Sequence, residues 1–286
     1  MDILEALKEK LDCEEVPERL DWSLGGLNQT AVAQTDKGIF FLKRHQEHSD
    51  DMYEAEAIGL QKIIETKTVR VPIPYAFGLS EEGAYLILER LDIEGHTAES
   101  QRALGEKLAE MHLTPAPRQF GFDCDNTIGT TPQKNPWTDN WVDFFINHRL
   151  DFQLQLVEEL YRDTELRKKA EPLLNRFPDF FEGLHVKPSL LHGDLWGGNT
   201  GKLSSGEPVV YDPAAYYGHH EAEFGIIEMF GGFTREFYRA YEELIPRQVG
   251  FQERVGAYRL YHTLNHYVIF GDSYRGACLS LCNRYQ

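Results

Sequence analysis

The chain has 286 residues, 42% of them hydrophobic and 26% charged, with a formal net charge of −17. That composition suits a globular protein with its own core, in one large or two modest domains. The acidic balance, with no Lys/Arg cluster, argues against a nucleic-acid partner, and no apolar run is long enough to cross a membrane.

Residues 1–8, Met1-Asp2-Ile3-Leu4-Glu5-Ala6-Leu7-Lys8, are amphipathic and acidic rather than basic and then apolar, so we expect a cytoplasmic protein. Residues 2–11 predict a helix. Residues 20–42 carry β character. Leu24-Gly25-Gly26-Leu27-Asn28-Gln29-Thr30 leads into a strand, Asp36-Lys37-Gly38 turns, and Ile39-Phe40-Phe41-Leu42-Lys43 returns. Glycines there let backbone amides approach phosphates, although a bulge or tight turn would use them too. Lys43 alone would read as a solvated strand end. Residues 52–64 predict a helix through Tyr53, Ala57, Leu60 and Ile64. Of its acids, Glu56 sits four before Leu60 and shares the apolar face, so it is the expected partner of Lys43, with Glu54 as the alternative. Pro72 and Pro74 keep residues 69–74 extended. Residues 84–91 predict a buried strand. Its end, Glu89-Arg90-Leu91, reads as a hinge that could meet adenine, or equally as a core strand and turn.

From residue 100 the pattern is mainly helical. Leu104, Leu108, Met111 and His112 mark one helix. Residues 120–137 are irregular and rich in Gly, Pro, Asn and Thr, as functional loops often are. Residues 141–161 and 165–181 predict amphipathic helices, residues 221–243 a helix broken at Gly231-Gly232, and residues 253–270 a last long helix. The aromatic density here reads as core packing. Cys13, Cys124, Cys278 and Cys282 form no CxxC pair and read as free thiols.

Residues 190–199 organise the rest. Asp194 and Asn199 have the spacing D-x-x-x-x-N, in which the aspartate accepts a hydroxyl proton and the asparagine holds magnesium. Val209-Val210-Tyr211-Asp212-Pro213 is a short β run ending in an acid that could be a second ligand. Each feature alone would pass for a turn or a cap. Their order is more specific: glycine hairpin, lysine strand, glutamate helix, hinge strand, helices, D-x-x-x-x-N, then acid. That order predicts an α+β, bilobal protein-kinase-like fold, with a small β-rich N-lobe at 1–91 and a large, mainly helical C-lobe at 92–286. No arginine follows His192, Asp212-Pro213-Ala214 stands where D-F-G would, and no A-P-E follows. A small-molecule kinase is therefore expected rather than a protein kinase.

The chain resembles the fructosamine-3-kinase/ketosamine-3-kinase family, a branch of the aminoglycoside and choline kinase-like group, over nearly its whole length. The resemblance rests on Leu191-His192-Gly193-Asp194-Leu195-Trp196-Gly197-Gly198-Asn199, Tyr211-Asp212-Pro213-Ala214, Tyr217-Gly218-His219 and Met229-Phe230-Gly231-Gly232-Phe233, with Thr131-Pro132-Gln133 and Trp141-Val142-Asp143-Phe144-Phe145 upstream. Trp196 separates it from aminoglycoside phosphotransferases, which usually have histidine there. The resemblance implies ATP- and Mg2+-dependent phosphorylation of the C3 hydroxyl of a ketosamine, small or protein-bound. The 3-phosphate then eliminates and frees the amine. It implies Asp194 as the base, Asn199 and Asp212 on Mg2+, and Lys43 with Glu56 on the α/β-phosphates. Gly25, Gly26, Asn28 and Thr30 would cover the phosphates, and Glu89, Arg90 and Leu91 would meet adenine. His192, Trp196 and Glu221 would line the sugar site. Leu27 stands where relatives place a cysteine, so control through a loop thiol is not expected. We expect a monomer. A kinase of another small alcohol, of the aminoglycoside or choline type, and a non-catalytic nucleotide-binding protein remain as alternatives.

Overall fold

The computed structural model describes residues 3–25, 28–45 and 51–286. Gly26 and Leu27 lie outside the described residues. The N-terminal helix α1 (Ile3–Leu11) precedes the glycine hairpin, β1 (Ser23–Gly25) and β2 (Asn28–Thr35), and its return strand β3 (Gly38–His45). Gly38, at φ +129°, takes the turn position that a side chain would strain. Helix α2 (Asp51–Thr66) follows, then β4 (Pro74–Ser80) and β5 (Gly83–Glu89). The five strands form one antiparallel sheet in the order β1-β2-β3-β5-β4.

The pleat assigns the two faces of this sheet. Phe40, Leu42, Tyr85 and Ile87 share one face and pack with Ile3, Ala6 and Leu7 of α1. Ala84, Leu86 and Leu88 point the other way and join Tyr53, Ala57, Leu60 and Ile63 of α2 in the main core. Lys43 pairs with Leu86 across the ladder, so its side chain falls on the α2 face. Register alone thus carries a lysine into the interior, where it is buried.

The rest is mainly helical. Helix α3 (Ala98–Leu113) starts with a capping box between Thr97 and Ser100. Residues 120–137, irregular by sequence, contain a hairpin, β6 (Asn126–Ile128) and β7 (Thr131–Gln133). Buried amides, rather than apolar alternation, hold it. Asn126 Nδ2 donates to the Ala215 carbonyl, Gln133 Nε2 to Asn126 Oδ1, and Tyr261 OH to Gln133 Oε1. The helix expected over 141–161 is present as α4 (Trp141–Phe145), a π-helical turn (Ile146–Asp151) and α5 (Phe152–Tyr161). The π turn carries Arg149, fully buried between the rings of Phe144 and Tyr216, onto the Lys134 carbonyl and Asn135 Oδ1.

Helix α6 (Thr164–Arg176) ends in a 3-10 turn, and two short ladders follow. β8 (Ser189–Leu191) pairs with β11 (Tyr216–Gly218), and β9 (Thr200–Lys202) with β10 (Pro208–Val210). The helix expected over 221–243 is a 3-10 turn (His220–Glu223), α7 (Phe224–Phe230), a break at Gly231 and Gly232, and α8 (Arg235–Leu244). Gly105 of α3 lets α8 approach closely; a Cβ there would meet the Phe237 carbonyl oxygen at 2.1 Å. Helix α9 (Phe251–Phe270), a 3-10 turn (Gly271–Tyr274) and α10 (Arg275–Asn283) complete the chain. All four cysteines are free. No helix among the described residues is long and apolar enough to cross a membrane.

Candidate active site

Strand β8 leads into the loop that carries Asp194 and Asn199. After Leu191 the chain turns at Gly193, at φ +81°, where a Cβ would meet the Ala214 carbonyl oxygen at 2.2 Å. The turn is fixed from beneath by Glu223. Its carboxylate accepts the backbone N–H of His192 at 2.7 Å and of Gly193 at 2.9 Å. Burial would raise Glu223, but His112, His192 and these amides outweigh it and hold its carboxyl below the usual range. His192 is a second tie. Its Nε2 reaches the Tyr211 carbonyl at 3.0 Å, and the Asp194 N–H donates to its Nδ1 at 3.3 Å. One imidazole thereby links both acidic segments. Burial lowers its pKa, so the ring is neutral, with its proton on Nε2.

The loop then places Asp194 and Asn199 together. Asn199 Nδ2 donates to the Asp194 carbonyl at 2.9 Å and to Asp194 Oδ2 at 3.2 Å. The amide nitrogen is spent on Asp194, and Oδ1 is the atom left for a cation. Tyr211 N–H donates to the Asn199 carbonyl, which carries Asp212 alongside. Asp212 sits at φ +56°, a strained conformation for a residue other than glycine, and strain of that kind collects at functional sites. Burial, then the charges of Asp212 and Glu223, push Asp194 up to about 7.

Opposite stands Lys43. Its Nζ lies 2.8 Å from both oxygens of Glu56 and 3.1 Å from Asp212 Oδ1. Burial alone would lower its pKa. Asp212 and Glu56 outweigh that and hold it above its ordinary value, so it stays an ammonium. Glu56 is the partner as expected, and Glu54 faces solvent.

These groups line one cleft of about 400 Å³, which also includes Gly25, Asn28, Met52, residues 126–129, Trp196, Ile226, Phe230 and the end of α9. The Trp196 ring lies over Gly198, where a Cβ would come within 2.2 Å of it. Gly197 is pressed against Gly232, whose Cβ would fall 2.6 Å from the Gly197 Cα. Gln101 of α3 clamps that Gly-Gly break through the Gly232 carbonyl and the Thr234 N–H. His266, unmarked by the sequence pattern, also faces the cleft. Its Nδ1 meets the His262 carbonyl at 2.8 Å and burial lowers its pKa, which leaves an acceptor lone pair on Nε2.

Several sequence expectations are corrected. Glu221 does not line a sugar site: it is 1% exposed and holds Arg254 in a two-pronged buried ion pair at 2.6 and 2.9 Å. Glu223, two residues on, is the acid that matters to the loop. His192 is a buried tie rather than a substrate contact. The side chains of Glu89 and Arg90 are engaged locally, Glu89 by Arg70 and the Ile73 N–H and Arg90 by Asp92, which leaves only backbone groups of this segment for an adenine, and the Thr30 carbonyl accepts from the Ser23 hydroxyl. Gly26 lies outside the described residues. The aromatic residues at the end of α9 face the cleft, whereas Tyr258, Tyr261 and Tyr267 of the same helix are core.

A small antiparallel sheet with one pairing helix, a helical second part, and a lysine–glutamate pair facing D-x-x-x-x-N and a further aspartate define a protein-kinase-like phosphotransferase fold. The aminoglycoside phosphotransferase APH(4)-Ia shares it, with a TM-score of 0.63 at 16% identity over 99% of this chain and 97% of that one. The sequence profile described as fructosamine kinase matches residues 1–285, and the chain belongs to that family. A chloroplastic protein-ribulosamine 3-kinase of Oryza sativa subsp. indica is 44% identical over 267 residues, 92% of this chain and 78% of the relative. A solved structure from Haemophilus somnus 129PT, assigned as a fructosamine-3-kinase, superposes with a TM-score of 0.88 at 27% identity, covering 99% of this chain and 96% of that one.

Proposed function

We propose that this chain transfers the γ-phosphoryl group of ATP to the C3 hydroxyl of a ketosamine. The observation that carries the reading is the convergence of Lys43–Glu56, Asp212 and Asp194–Asn199 on one cleft. Family membership adds the acceptor class, since the rice relative is named for ribulosamines and the family for fructosamines.

Lys43, held as an ammonium by Glu56, meets the α/β-phosphates, and the amides around Gly25 and Asn28 approach them from above. Asn199 fixes one oxygen of Asp194, and the other is free to take the acceptor proton as the hydroxyl attacks. A carboxylate titrating near 7 suits a base working near neutral pH. Asp212 and Asn199 Oδ1 fit Mg2+: both are hard oxygen donors, and although burial is the main reason Asp194 is raised, the neighbouring charge of Asp212 that adds to it is what a divalent cation relieves. Bound there, Mg2+ would neutralise charge on the phosphates. Trp196 forms a wall for the sugar. The segment after β5 keeps its proposed role as hinge and adenine contact through its backbone, with the lobes divided between residues 91 and 92. The reading includes a monomer in the cytoplasm.

The test incubates purified protein with Mg-ATP and ribulose-lysine, fructose-lysine, choline and kanamycin, and follows ADP release and product mass. Addition of one phosphoryl group to a ketosamine is the expected result. Transfer only to choline or kanamycin would overturn the acceptor assignment and leave the phosphotransferase standing.

A further inference from the structure

A continuous band of rings leads from the catalytic loop out of the cleft. Trp196 packs on Phe230 with centroids 5.3 Å apart, and Phe230 on His266 at 4.9 Å. His266 in turn meets Phe270 at 5.6 Å and Tyr274 at 5.1 Å. All five line the same cleft as Asp194. Phe230 and Phe270 are nevertheless 40% and 51% exposed. Beyond the catalytic loop, the band draws on the ends of α7 and α9 and the 3-10 turn that follows α9. Contiguous exposed apolar surface of this kind, built from separate segments at a cleft mouth, marks a binding surface.

What it binds follows from the acceptor, and the inference rests on the ketosamine reading above. With the C3 hydroxyl at Asp194, the amine nitrogen lies only two carbons further along. The phosphate side of the cleft is taken by Lys43 and Glu56. The carrier of the amine therefore leaves past Trp196, along the rings. We propose that Phe230, Phe270 and Tyr274 bind the lysine stem and flanking backbone of a polypeptide, so that peptide-borne ketosamines are preferred over adducts of small amines. Ring faces accept both parts of such a carrier: the unbranched methylenes by apolar contact and the protonated secondary amine by cation–π attraction. An adduct of a short amine ends before it reaches Phe270 and Tyr274.

The full-length protein is assayed with Mg-ATP on two ribulose adducts, one on the single lysine of a short peptide and one on methylamine. Phe270→Ala/Tyr274→Ala should raise KM for the peptide adduct about tenfold, from the loss of two ring contacts. Turnover at saturation, KM for ATP and kinetics on the methylamine adduct should stay unchanged. Phe270→Tyr/Tyr274→Phe should restore the peptide KM. Retained stabilisation by Mg-ATP in a thermal melt shows that the variant is folded. Equal losses on both adducts, or no loss on the peptide, would overturn the inference while leaving ketosamine phosphorylation intact. No phosphorylation of either adduct by the unmutated protein would overturn the ketosamine reading, and this inference with it.

Discussion

Asp194→Asn should remove turnover and stabilise the fold at the same time. An ordinary aspartate titrates near 3.8 and Asp194 near 7. The sign follows from that rise. Below the ordinary value the carboxyl is neutral folded and unfolded, and it contributes nothing. As pH climbs toward 7 the unfolded chain ionises first, so a penalty on the folded state grows, and it is complete above 7. At about 1.4 kcal/mol per pH unit the full penalty would approach roughly 4 kcal/mol in a dry site. The carboxylate opens on the cleft, so solvent screening reduces this to about 1–2 kcal/mol. Asparagine keeps the contact to Asn199 Nδ2 through its own carbonyl oxygen and removes the charge. In a calorimetric or fluorescence melt at pH 8 with EDTA, the variant should gain about 2–6 °C. The gain should shrink as pH falls toward 4 and narrow when Mg-ATP is added to both proteins. Turnover should drop by about two to four orders of magnitude, the usual weight of general-base catalysis. An Asn variant no more stable than its parent at pH 8 would refute the burial and charge crowding that together raise Asp194.

Three further perturbations separate site from scaffold. Gly232→Ala places a Cβ 2.6 Å from the Gly197 Cα at φ +96°. It should cut kcat at least about tenfold and cost about 1–3 kcal/mol in denaturant unfolding, with KM for ATP little changed. Glu223→Gln sets an amide NH2 against one of the two loop N–H donors. It should lower kcat and cost about 1.5–3 kcal/mol, the loss of a charged hydrogen bond. Glu221→Gln breaks the buried pair with Arg254 and should destabilise by about 3–5 kcal/mol, yet leave both KM values of the folded enzyme unchanged, as a sugar contact would not. Mg2+ binding with ADP should release more protons at pH 6.5 from the unmutated protein than from Asp194→Asn, the excess over what the ADP phosphate itself gives up, and none from either at pH 9, because a cation beside Asp212 lowers Asp194 from about 7. Calorimetry in buffers of different ionisation enthalpy reads this directly.

Much of the fold was legible because local rules and global packing agreed. The apolar spacing of α2 singled out Glu56, the order of motifs singled out Lys43, which alone would read as a solvated strand end, and the two meet at 2.8 Å. The order of motifs marked the cleft because each part lies where a turn or strand end must expose it. What stayed hidden depended on long-range partners. Glu221 and Glu223 are indistinguishable by spacing when a helix is assumed to begin there. The 3-10 turn sends one to Arg254 of α9 and the other under the catalytic loop. The hairpin within 120–137 carries no alternating apolar pattern, since Asn126, Gln133 and Asn135 supply its order through buried amide bonds. The ring-rich end of α9 has the composition of a core, yet His266 and Phe270 line the cleft, with His266 against Phe230 at the end of α7.

The most direct test of the central claim is the position of the new phosphate. Ribulose-lysine is phosphorylated with Mg-ATP, quenched before elimination, and studied by phosphorus–proton correlation NMR. The account predicts coupling of phosphorus to the single proton on C3, and release of free lysine as that signal decays. Phosphate on the terminal hydroxyl, or a stable product that frees no amine, would contradict it.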